Sequence, residues 1–78
     1  MEWFTDHFLS SLEERYHERG KLWLTAKQAN VCKRYMEYGT VRGNLVLDLG
    51  SKRYCVSIMP NGGASFFIIN LETGFCMH

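Results

Sequence analysis

Over residues 3–19 the apolar side chains Phe4, Phe8, Leu12 and Tyr16 recur every four residues, with Leu9 beside them, while Glu13, Glu14, Arg15 and Glu18 fill the opposite face. That spacing predicts an amphipathic α-helix. Thr5 or Asp6 is placed to cap its start, and Gly20 stops it, because glycine accepts the left-handed backbone past a helix end. Residues 22–39 predict a second helix. Thr25 and Gln28 stand three apart as a capping box, Leu24 and Ala29 as a hydrophobic staple, and Val31, Cys32, Tyr35, Met36 and Tyr38 follow at helical spacing up to Gly39. The link between the helices is short, which predicts an αα-hairpin packed through Trp3, Tyr16 and Trp23.

After Gly39 the period drops to two. Leu45, Leu47 and Leu49 alternate with Asn44, Val46 and Asp48, predicting a strand whose leucine face is buried. Gly50 and Ser51 turn the chain, and Tyr54, Val56 and Ile58 alternate with Cys55, Ser57 and Met59 in a paired strand. Pro60-Asn61-Gly62-Gly63 is a strong turn signal. In residues 64–69, Phe66 and Ile68 point one way and Phe67 and Ile69 the other, so both faces are apolar and the strand is central or covered. A turn over residues 71–74 leaves room for a short last strand at 75–77. The fold expected is α+β in a single domain (1–78): an N-terminal αα-hairpin (1–39) packed on a three- to four-stranded antiparallel β-sheet, a meander over 40–78.

A chain of 78 residues buries only about 60% of its unfolded surface, so added support from a partner, a metal or self-association is expected to matter. No apolar run approaches the roughly 20 residues of a membrane span, and no basic region precedes an apolar block at the start, so a cytoplasmic, non-membrane protein is expected. Three cysteines at wide spacings suggest no disulfide framework.

The net charge of +1 excludes a strongly acidic nucleic-acid mimic and a strongly basic binder on bulk charge. Its distribution changes that picture. Five acids and two bases give residues 1–20 a charge of −3; seven bases and two acids give residues 21–53 a charge of +5; Glu72 contributes −1. Either the acids of the first helix pair with bases of the second, or the bases form a docking face for an acidic partner.

Candidate chemistry is thin. Cys76-x-His78 with Cys32 and Cys55 offers four zinc-type ligands, but no closely spaced pair accompanies them, and Cys32 falls on an apolar stripe, so no metal or other cofactor is expected. A nucleophilic pairing of Cys32 or Cys55 with His7 or His17 lacks an orienting acid nearby. Ser10 and Ser11 precede no glycine elbow, and Gly62-Gly63 is followed by no phosphate-loop lysine, so an enzyme is not expected. Lys27, Lys33 and Arg34 lie where a helix-turn-helix reads DNA, without its tight turn or third helix. Tyr54, Phe66 and Phe67 could stack bases, though strand aromatics in so small a chain belong first to the core.

Residues 8–28, FLSSLEERYHERGKLWLTAKQ, resemble a helical segment recurring in uncharacterised proteins of phages and mobile elements, through Phe8, Ser11, Leu12, Gly20, Leu24, Thr25, Lys27 and Gln28. The resemblance implies a phage-type small inhibitor, of the anti-CRISPR kind, acting in the host cytoplasm on a bacterial defence nuclease complex. Independently, aromatic side chains beside a basic stretch suit interface anchors. The expected partner-binding set is Trp23, Lys27, Lys33, Arg34, Tyr38, Arg42, Lys52 and Arg53, contacting an acidic or nucleic-acid-binding protein surface. Direct nucleic-acid binding is one alternative. A homodimer joined through Phe67 and Ile69 is another.

Overall fold

A computed structural model describes residues 7–39 and 44–77. In chain order they form α1 (Leu9–Arg19), β1 (Leu22–Leu24), α2 (Ala26–Tyr35), β2 (Glu37–Tyr38), β3 (Asn44–Leu49), β4 (Lys52–Ile58) and β5 (Ala64–Asn70). The strands make one antiparallel sheet in the order β1-β5-β4-β3-β2. The α+β class is as expected; the helical hairpin and the strand number are corrected. Leu22, Trp23 and Leu24 pair with Phe66, Ser65 and Ala64, so a strand, not a turn, separates the helices. β5 explains this, because an internal strand with two apolar faces needs a backbone partner on its second side.

Gly20 ends α1 at φ +79°, as expected. The Thr25–Gln28 capping box is present: Thr25 N–H donates to Gln28 Oε1 over 2.9 Å, and Gln28 N–H donates to Thr25 Oγ1 over 3.2 Å. The end of α2 differs. It stops at Tyr35, Met36 turns extended and buries, and Glu37 and Tyr38 pair with Val46 and Leu45. Strand pairing overrides a helical period that ran on to Gly39. Gly39 serves instead in the β2–β3 connection, donating to Asn44 C=O over 2.9 Å, and a Cβ there would lie 3.2 Å from Val46. β1 and β2 lie at opposite sheet edges, about 19 Å apart at normal strand spacing, so α2, about 15 Å long, crosses the sheet.

One face of the sheet meets the helices. Leu9, Leu12 and Tyr16 of α1 and Ala29 and Cys32 of α2 bury against Leu24, Leu45, Tyr54, Val56, Ala64, Phe66 and Ile68. Phe66 is fully buried, with Tyr16 edge-on at 6.0 Å and Tyr54 stacked at 6.2 Å. The leucine face of β3 sinks at one end alone: Leu45 is buried, Leu47 half-buried and Leu49 exposed. Trp23, expected between the helices, is 67% exposed. The short last strand is a single bridge from Cys76 to Ile69, with Met77 N–H donating to Ile68 C=O over 2.8 Å. Trp3, Phe4 and the expected caps Thr5 and Asp6 lie outside the described residues.

The acids of α1 do not pair with α2. Glu13 bonds across the core edge to Lys52 and accepts from Tyr54 Oη over 2.8 Å, with His17 Nε2 at 3.4 Å. Burial alone would raise the Glu13 carboxyl, but the bonds from Lys52 and Tyr54 outweigh it and hold the group below its usual range. A depressed carboxylate stabilises the fold above its unfolded pKa and loses that contribution as pH falls through the folded value. Urea midpoints of the wild type and Glu13→Gln should therefore differ most near neutrality and converge in acid. Truncating Phe66 to alanine should cost about 3–5 kcal/mol. Folded domains hold on the order of 0.05–0.15 kcal/mol per residue, so Phe66→Ala should lose most of the near-UV circular dichroism of this chain.

Candidate interaction surface

Lys52 and Arg53, both expected to face a partner, are already engaged. Lys52 is half-buried on Glu13. Arg53 grips Asp48, its cross-strand neighbour, with Nε to Oδ1 at 2.7 Å and Nη2 to Oδ2 at 3.0 Å. These hydrogen bonds hold the Asp48 carboxyl below its ordinary range. A cation in a two-pronged carboxylate pair has donors committed, so docking through it would first cost that pair. Arg42 lies outside the described residues.

Trp23 stands elsewhere, on the edge strand β1, and its surroundings were not anticipated. Arg15 and Arg19 from the last turns of α1 join Lys21, Leu22, Trp23 and Leu24 around a cavity of about 290 Å³. Lys21 Nζ lies 6.0 Å from the Trp23 ring centroid, at the outer limit of a cation–π contact. Arg15, Arg19 and Lys21 are exposed, and among the described residues none makes an ion pair. Arg15 and Arg19 are also i,i+4 neighbours of like charge, an arrangement that costs a helix about 0.2–0.5 kcal/mol. The sequence signal is Arg-x-x-x-Arg-Gly-Lys, but its two arginines fall in a segment of net negative charge and its lysine in the next, positive one, so segment totals hide the cluster.

Lys27, Lys33 and Arg34 are exposed on α2 and, among the described residues, are likewise without ion pairs. Lys27 and Arg34 are seven residues apart and share the helix face away from Ala29 and Cys32; Lys33 lies on its flank. Residues 15–34 thus hold six bases against the single acid Glu18. Tyr38, 68% exposed, belongs to the opposite edge of the sheet and is not gathered with Trp23. It borders an open groove of about 450 Å³ on the sheet face away from the helices, with Val46, Phe67 and Ile69 on its apolar side and Arg53 at its rim.

Burial pushes the thiols of Cys32 and Cys55 up to about 11, so neither is poised as a thiolate at neutral pH. Cys76 is exposed and His78 lies outside the described residues. Among the described residues no three His, Cys, Asp or Glu side chains gather to hold a metal ion. Among the same residues no helix is long and apolar enough to cross a membrane.

No family model matches the chain, no curated protein matches its sequence, and no solved structure matches its fold.

Proposed function

We propose that this is a small non-enzymatic binding protein that works by covering a surface of another macromolecule, with Trp23 as anchor and Arg15, Arg19 and Lys21 as the charged surround. The observation that carries the reading is the division among the cations. Those on β4 are spent on Glu13 and Asp48, whereas those around the β1 edge make no ion pair among the described residues and stand beside an exposed tryptophan. Trp and Arg are the side chains most enriched where binding energy concentrates, and unpaired cations favour an acidic counterpart. Lys27, Lys33 and Arg34 add exposed cations along α2. The resemblance of residues 8–28 to a phage and mobile-element segment supports a narrower version, a phage-encoded inhibitor of a bacterial defence nuclease complex that acts by occlusion in the host cytoplasm.

Direct binding of nucleic acid is the second reading, favoured by the same cations next to a ring able to stack on a base. Self-association through Phe67 and Ile69 is supported by the open groove of the far sheet face.

Capture from a nuclease-treated bacterial lysate, read by mass spectrometry, separates these readings. The expected result is one stoichiometric protein that survives nuclease and moderate salt. The combined change Arg15→Glu, Arg19→Glu and Lys21→Glu should abolish capture with the circular dichroism unchanged, Lys33→Glu with Arg34→Glu should weaken it by roughly tenfold or more, and Arg53→Ala should leave it within about twofold. Loss of every partner on nuclease treatment would move the assignment to nucleic acid. There, affinity falls with about one unit of log-log salt slope per phosphate neutralised.

A further inference from the structure

β1 is an edge strand, and the hydrogen-bond alternation of the sheet defines what its open side offers. At the β4–β5 turn, Met59 N–H donates to Gly63 C=O over 2.7 Å. In an antiparallel ladder bonded and non-bonded pairs alternate, so Ser65 and Phe67 direct their backbone polar groups at β4, and Ala64, Phe66 and Ile68 direct theirs to the other side. The bond from Met77 N–H to Ile68 C=O lies on that other side, as the alternation requires. Ala64 and Phe66 stand opposite Leu24 and Leu22, which therefore commit their N–H and C=O groups to β5. Trp23, between them, points its N–H and C=O out of the sheet. Among the described residues neither group has a partner.

This outward donor and acceptor lie on the strand that lines the 290 Å³ cavity, with Arg15, Arg19 and Lys21 around it. We propose that the β1 edge captures an extended acidic polypeptide segment of the partner, which adds to the sheet as a further strand. Its backbone would bond to Trp23 N–H and C=O, and its carboxylates would meet Arg15, Arg19 and Lys21. The proposal rests on the basic surface read above and names the occupant of its centre. A polypeptide answers both an outward N–H and an outward C=O, whereas a nucleic-acid phosphate accepts hydrogen bonds but cannot donate one to the Trp23 carbonyl. A second copy of this chain is a poor occupant, since edge-to-edge pairing would bring two sets of three cations together. With three residues in β1, the backbone contributes few bonds and the charges carry much of the affinity.

The test is a heteronuclear NMR titration of the full chain with a blocked peptide Glu-Val-Asp-Val-Glu, its Lys-Val-Lys-Val-Lys counterpart, an acidic peptide N-methylated at the central aspartate, and oligothymidine. In the free protein the amides of Leu22 and Leu24 should be protected from exchange and that of Trp23 should not. The acidic peptide should protect the Trp23 amide, the basic one should have no effect, and N-methylation should weaken binding about tenfold at constant charge. Proline is tolerated at an edge position whose N–H faces outward, so Trp23→Pro removes the donor and keeps the β5 ladder, which Leu24 protection reports. Trp23→Pro should bind at least about tenfold more weakly than Trp23→Ala, which loses the ring but keeps the amide. Equal binding by those two variants, equal binding of the two acidic peptides, or shifts with oligothymidine alone would overturn the proposal, as would no response to any peptide at millimolar concentration. The two readings fail separately. If the triple charge reversal abolishes lysate capture but Trp23→Pro and Trp23→Ala capture equally, the basic surface stands and the strand pairing falls; if the reversal leaves capture intact, the surface itself falls.

Discussion

The fold depends on β5 being covered on its helix-facing side and along both backbone edges. Phe66 and Ile68 on one face are fully buried, and the Phe66 ring contacts those of both Tyr16 and Tyr54, so one side chain of β5 touches both helix α1 and strand β4. Its backbone needs partners as well. β4 satisfies one side along the whole strand, while on the other β1 covers residues 64–66 and the bridge at Cys76 covers the far end. Because buried backbone groups are costly to leave unpaired, the segment between the helices is drawn into the sheet. A short link that would otherwise close a helical hairpin becomes the sheet's edge.

That placement has an electrostatic consequence. α1 lies over β5 with Glu13 at its rim, where Lys52 and Tyr54 of β4 reach it. Glu13 is thereby occupied by the sheet, and among the described residues the cations of α2 make no ion pair. The turn from α1 into β1 also brings Arg15, Arg19 and Lys21 around Trp23. A net charge of +1 on the whole chain conceals a group of three bases at one sheet edge that make no ion pair among the described residues.

The readable parts of the candidate site were residue types; the unreadable part was their company. Trp23 was recognisable as an anchor, being a large aromatic among lysines, and Lys27, Lys33 and Arg34 as exposed bases by their helical phase. Lys52 and Arg53 looked the same in the sequence. Only the cross-strand register, which sets Asp48 opposite Arg53, and the packing of α1, which lowers Glu13 onto Lys52, separate spent cations from available ones. Arg15 and Arg19 stand among acids in the sequence, and local charge averages follow the sequence whereas fields follow space.

The sequence by itself determined the local elements whose causes are local: the capping box of Thr25 and Gln28, the stop at Gly20, the period of two in β3, β4 and β5, and the turn at Gly62 with φ +90°. Tertiary structure decided whatever depended on a distant partner. The three residues of β1 and the two of β2 are too short to declare themselves by periodicity and exist because β5 and β3 offer them hydrogen bonds. For the same reason α2 ends at Tyr35 rather than at Gly39. Ladder pairing and burial of Met36 outweigh another turn of helix, and neither the ladder nor the burial is visible within the segment itself.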